Sequence, residues 1–167
     1  MFSIVFYLID SVPKLIFDTN HTTFSKILTT FVNLKELELD GSYHYPWNCL
    51  ENLPLPLLQT LKTRAIPVEI LVSLIENTNG HLNKISIDCI FYEEIINKII
   101  QVIYQNCPKL KYLKLIPIIS ENITEFENIL IKCQYLDELF ISVDNLFDPR
   151  ELFGILIRSP IGLFKLK

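Results

Sequence analysis

Apolar residues recur along this chain at two periods. In short stretches they stand two apart, as in Leu37-Glu-Leu39, Ile85-Ser-Ile87, Leu113-Lys-Leu115 and Leu139-Phe-Ile141. That spacing predicts strands, because successive strand side chains point to opposite faces. Between them lie segments with apolar residues three and four apart, the spacing of one helix face. Thr22 to Phe31 aligns Phe24, Ile27, Leu28 and Phe31 behind threonines suited to a helix start. Val68 to Glu76 aligns Ile70, Leu71, Leu74 and Ile75, and Glu93 to Gln105 aligns Ile95, Ile96, Ile99, Ile100 and Ile103 before Pro108. Ile123 to Cys133 carries Phe126, Ile129 and Leu130 behind Asn122, and Asp148 to Ile157 opens on Asp148-Pro149 and stops before Pro160. One interval breaks the plan. Residues 41–57 hold Pro46, Pro54 and Pro56, so no regular helix is expected there.

The strands belong to an internal repeat. Leu34-Lys-Glu-Leu37-Glu-Leu39 recurs as Leu82-Asn-Lys-Ile85-Ser-Ile87, Leu110-Lys-Tyr-Leu113-Lys-Leu115 and Leu136-Asp-Glu-Leu139-Phe-Ile141, all of the form L-x-x-L-x-L. Weaker copies begin at Val12, Leu58 and Ile161. Successive copies start 22, 24, 24, 28, 26 and 25 residues apart. Each unit is then a helix, a turn and a strand, and neither element can bury its apolar face alone. Stacking the units joins the strands into one parallel sheet and the helices into a layer behind it. The expected fold is an α/β solenoid, a horseshoe with a parallel concave sheet and convex helices in about seven repeats. It forms a single domain over residues 1–167 with an irregular convex insertion at 41–57.

Alternation turns the polar strand positions outward. The outward set runs Lys14, Ile16, Asp18; Glu36, Glu38, Asp40; Thr60, Lys62, Arg64; Lys84, Ser86, Asp88; Tyr112, Lys114, Ile116; Glu138, Phe140, Ser142; and Leu163, Lys165, Lys167. From it, Glu36, Glu38, Asp40, Lys62, Arg64, Lys84, Tyr112, Lys114, Glu138 and Phe140 form the candidate partner-binding face. Two readings stand side by side. The rows form a bipolar protein-binding surface with aromatic anchors, or neighbouring opposite charges simply pair across the sheet. Tyr43, His44, Tyr45 and Trp47 form a second aromatic group, better suited to covering the core where a helix is missing than to meeting a partner.

Composition narrows the function. At 167 residues and 19.5 kDa, with 50% hydrophobic and 20% charged residues and a mean hydropathy of +0.32, the chain can bury a core, which excludes a charge-driven disordered protein. A net charge of −4 and a pI near 5.4 argue against a chain built to coat nucleic acid or anionic lipid, so neither nucleic acid nor membrane is an expected partner. No apolar run approaches the roughly 18–20 residues of a membrane span. The apolar opening Met1 to Ile9 has no basic segment before it and is cut short by Asp10, so it is not read as a signal sequence. Asn20-His-Thr22 and Asn122-Ile-Thr124 fit the glycosylation acceptor pattern, which matters only in a secreted chain. Cys49, Cys89, Cys107 and Cys133 lie too far apart for a zinc or redox motif and are expected reduced and buried, in a cytoplasmic or nuclear protein. His21, His44 and His81 are scattered through turns, and no phosphate-binding loop or nucleophile motif is present. No catalytic residue, cofactor or metal is expected, and the chain is read as a binding protein, not an enzyme. Terminal repeats need polar caps, yet the chain opens on Met1-Phe-Ser-Ile-Val-Phe and stops at Leu166-Lys167, so self-association or marginal solubility is expected.

Asn106-Cys107-Pro108-Lys109-Leu110 places a Cys-Pro pair three residues before the repeat leucine, and Cys133-Gln-Tyr-Leu136 repeats the spacing without the proline. In this the chain resembles the cysteine-containing, ribonuclease-inhibitor-like leucine-rich repeats of F-box proteins. The resemblance implies that Cys107 and Cys133 close the turn from helix to strand. It also implies a non-catalytic module that holds a protein substrate on its concave face, as the substrate-recognition part of an F-box subunit of a cullin-type (SCF) ubiquitin ligase. A Skp-type adaptor and a cullin are implied partners only if an F-box lies upstream, since none is visible here and the chain is expected to be a fragment. The alternative is a free-standing leucine-rich-repeat scaffold or inhibitor with no ubiquitin role.

Overall fold

The computed structural model describes residues 5–9, 12–16, 33–40, 47–88, 93–118, 123–143, 149–158 and 165–166. They form an open α/β arrangement. The strands are β1 (Val5–Ile9), β2 (Val12–Ile16), β3 (Glu36–Asp40), β4 (Thr60–Arg64), β5 (Lys84–Asp88), β6 (Tyr112–Ile118), β7 (Glu138–Val143) and β8 (Lys165–Leu166). Four helices lie between them: α1 (Val68–Glu76), α2 (Glu93–Asn106), α3 (Ile123–Lys132) and α4 (Pro149–Arg158). The sheet order is β1-β2-β3-β4-β5-β6-β7-β8, each strand beside its predecessor in sequence. From β2 onward all pairing is parallel. A parallel neighbour cannot be reached by a tight turn, so the chain must cross behind the sheet between strands, and α1, α2, α3 and α4 are crossovers of this kind.

Residues at one motif position meet across the sheet. Leu15, Leu37, Leu61, Ile85, Leu113 and Leu139 are successive register partners, and Leu39, Thr63, Ile87, Leu115 and Ile141 form the next row. Leu37, Leu61, Ile85, Leu113 and Leu139 are fully buried, as are the motif leucines Leu34, Leu58, Leu82 and Leu110. Ile99, Ile100 and Ile103 of α2 and Phe126, Ile129 and Leu130 of α3 join them in one continuous core. The turn into each strand is built alike. The Lys35 carbonyl accepts the N–H groups of both Gln59 and Thr60, that of Gln59 accepts from Asn83 and Lys84, that of Asn83 from Lys111 and Tyr112, and that of Lys111 from Asp137 and Glu138. Cys107 and Cys133 occupy one site in successive units. The Cys107 N–H donates to Ile103 and its carbonyl accepts from Leu110; Cys133 does the same with Ile129 and Leu136.

Two local findings refine the sequence reading. The apolar opening holds β1, which pairs antiparallel with β2, Val5 opposite Ile16 and Ile9 opposite Val12, and so covers the edge of β2. Its run of apolar residues carries no alternation by which to recognise a strand. At the other end Leu166 pairs with Leu139 and Lys165 with Glu138. The last motif is therefore displaced by two residues from a start at Ile161, with the same side-chain parity. The helix expected over Thr22 to Phe31 lies outside the described residues.

The proline-rich interval is irregular where it is described. A 3-10 turn at Trp47–Leu50 is followed by turns that bury Trp47, Leu50, Leu53 and Leu55. Asn52, in the left-handed region at φ 59°, donates its N–H to Ser73 Oγ at 3.0 Å, and the Leu55 N–H donates to the Asn77 carbonyl, which ties the segment to α1. Trp47 is thus a packing residue. Tyr43, His44 and Tyr45 lie outside the described residues.

Candidate binding face

The sheet face opposite the helices carries every described residue of the candidate set. Strand alternation and the in-register parallel pairing order them in rows. One row runs Glu36, Thr60, Lys84, Tyr112, Glu138; the next runs Glu38, Lys62, Ser86, Lys114, Phe140; the third runs Asp40, Arg64, Asp88. Asp40 and Arg64 are exposed, and the others are half-buried beside their strand neighbours. For Lys14, Ile16 and Lys165 the backbone register places them in these rows. Asp18, Leu163 and Lys167 lie outside the described residues.

Ion pairs cross the strands on the β3 to β6 part of the face. Lys62 Nζ lies 2.9 Å from Glu36 Oε1 and 3.7 Å from Glu38 Oε2, gathering both glutamates of β3 onto one ammonium. Its hydrogen bond with Glu36 raises the Lys62 pKa above its ordinary value, against the opposing effect of partial burial. Lys114 Nζ reaches diagonally to Asp88 Oδ1 at 2.7 Å. Each such half-exposed pair contributes about 0.2–1 kcal/mol. Cross-strand pairing is therefore real for these residues. Asp88, outward by alternation, was not among the candidates; its role comes from the diagonal reach of Lys114 across one strand. A recess of about 200 Å³ opens here between β3, β4 and β5, lined by Glu38, Asp40, Lys62, Arg64, Ser86 and Asp88.

Aromatic side chains mark the β6 to β7 part. Tyr112 and Phe140, in neighbouring rows of adjacent strands, bring their ring centroids to 5.9 Å with planes at 41°. The Lys84 ammonium sits 4.7 Å above the Tyr112 ring, a cation–π contact.

Catalytic chemistry finds no constellation among the described residues. His81 is exposed in a turn, and His21 and His44 lie outside the described residues. No group of three or more histidine, cysteine, aspartate or glutamate side chains that could hold a metal occurs among the described residues. Cys107 and Cys133 are fully buried and free. Burial raises both thiols, that of Cys133 to about 12, so both stay protonated and unreactive at neutral pH. The Cys133 thiol faces the Cys107 carbonyl at 3.8 Å. Among the described residues no helix is long and apolar enough to cross a membrane. No protein-family model matches this chain, and no curated protein matches it in sequence.

Proposed function

We propose that the chain is a non-catalytic protein-interaction module, a solenoid of about seven leucine-rich repeats that holds a protein partner on its concave sheet face. By its Cys-Pro turn motif it is the substrate-recognition part of an F-box subunit of a cullin-type ubiquitin ligase, acting in the cytoplasm or nucleus, with ubiquitin transfer left to partner subunits. One observation carries the reading. The burial pattern of β3 recurs in β4 at every residue and in β5 at the first four, and the register continues through β6 and β7, so outward side chains stand in continuous rows on one face. Repeats that stack this way present an extended surface, which suits a macromolecular partner better than a small substrate.

The test is affinity capture of the full gene product from cells, probed for a Skp-type adaptor and a cullin. Recovery of both, lost when the upstream segment is deleted, is the expected result. Recovery of neither would remove the ubiquitin role and leave a free-standing repeat scaffold. A partner whose capture is unaffected by substitution at Lys62, Lys84, Tyr112, Lys114 and Phe140 alike would move binding off this face altogether.

A further inference from the structure

Charges on the sheet face are unequally committed. Glu36 and Glu38 share Lys62, and Asp88 is held by Lys114. Lys84 differs. Its register partners are Thr60 and Tyr112, no described carboxylate lies within ion-pair distance of it, and its ammonium rests on the Tyr112 ring. The ring in turn leans on Phe140. These two aromatics stand on the outward face, where the corresponding β3 and β4 positions are charged or small polar residues. Large rings held in mutual contact on a largely polar surface are what binding hot spots are made of, because they bury apolar area with little further loss of rotamer freedom. The cation thus stands on the β5 side of the aromatic step, in register with Tyr112.

We propose that the Tyr112–Phe140 step, with Lys84, is the anchor point of this face, and that it takes an extended protein segment in which a large apolar or aromatic side chain is next to a carboxylate. The apolar side chain packs against the two rings and the carboxylate meets the Lys84 ammonium. This inference rests on the sheet face being the partner surface, and it adds where on that face the energy lies and what the partner carries.

The test is selection of random twelve-residue peptides on the immobilised full chain, followed by titration of the enriched peptides against variants. The expected result is enrichment of an acidic residue beside an aromatic or large aliphatic one, with affinity falling at least about ten-fold in Y112A/F140A. In K84E the selection should turn toward Lys or Arg beside the apolar residue. Thermal unfolding of each variant confirms that these outward substitutions leave the fold intact. Enriched peptides without acidic residues, peptides indifferent to K84E, or no enrichment at all would overturn the inference. Peptides that lose affinity on reversal of Lys62 or Lys114 but not in Y112A/F140A would overturn it while leaving the face as the partner surface. Peptides indifferent to every substitution on the face would overturn both.

Discussion

Thr63 occupies a position that its neighbours fill with hydrocarbon. It stands in the buried row between Leu39 and Ile87, 4% exposed, and its hydroxyl has no hydrogen-bond partner among the described residues. A buried hydroxyl without a partner forfeits its hydration, and replacing it with a methyl group of the same shape removes that cost. Thr63→Val is expected to raise unfolding stability by about 1 kcal/mol, read as a higher urea midpoint at unchanged slope; an unchanged or lower midpoint would contradict the assignment. Cys107 and Cys133 make the opposite point. Both are buried and their thiols are pushed up, so an alkylating reagent at neutral pH should leave these two unlabelled until denaturant is added. Mass mapping that finds either one modified in the folded protein would refute their role as buried turn residues. That role is what the resemblance of the Cys107 and Cys133 segments to cysteine-containing repeats implies. The missing partner of the Thr63 hydroxyl was not legible in the sequence, because it depends on what surrounds the site.

Helix pairing joins the units behind the sheet. Phe126 of α3 is fully buried in the continuous core, and Phe126→Ala is expected to cost about 3–5 kcal/mol, measured by chemical denaturation. A loss below 1 kcal/mol would mean that α3 does not pack as described. Next to it Glu125 links two helices. Its carboxylate accepts from Gln101 Nε2 at 3.1 Å and Tyr104 Oη at 3.2 Å, both on α2, and from Asn128 Nδ2 at 3.4 Å. Glu125→Ala leaves those donors to water at the half-buried boundary, and a loss of about 1 kcal/mol is expected, without effect on peptide binding at the opposite face. Helices α1, α2 and α3 were readable from apolar residues three and four apart, since that spacing alone lines one face, and α4 from its Asp148-Pro149 start. The clasp at Glu125 was not, because Gln101 and Glu125 are brought together only by the packing of α2 on α3. The end of the chain shows the same limit within a strand. A motif starting at Ile161 and one starting two residues later both satisfy the alternation, and the pairing of Leu166 with Leu139 decides between them.

At the scale of the molecule the raised titrations act together. Cys107 and Cys133 hold their protons more tightly folded than unfolded, and so do Tyr104, by burial and its bond to Glu125, and Lys62, by its bond with Glu36. A group whose folded pKa lies above its unfolded value contributes its full stability below the unfolded value and loses it as pH rises. The first unfolded values met are those of the two thiols, ordinarily 9.0. Unfolding stability from these groups should therefore be level between pH 7 and 8, and fall from about pH 9 upward. Urea titrations across that range check it, and stability rising through pH 10 would contradict it. Ordered α/β units, a buried leucine core and the outward parity of Glu36 to Phe140 were determined by the sequence itself. Periodicity is a local property that each segment carries alone. Which residues face one another was decided only in the tertiary structure. Equivalent motif positions meet whatever the unit length, and the reach of each side chain across the paired strands then puts Lys62 between two glutamates, Lys114 against Asp88, and Lys84 over Tyr112 beside Phe140. A contact between residues some 26 positions apart has no signature in either segment, because it forms only when the sheet brings both side chains to the same place.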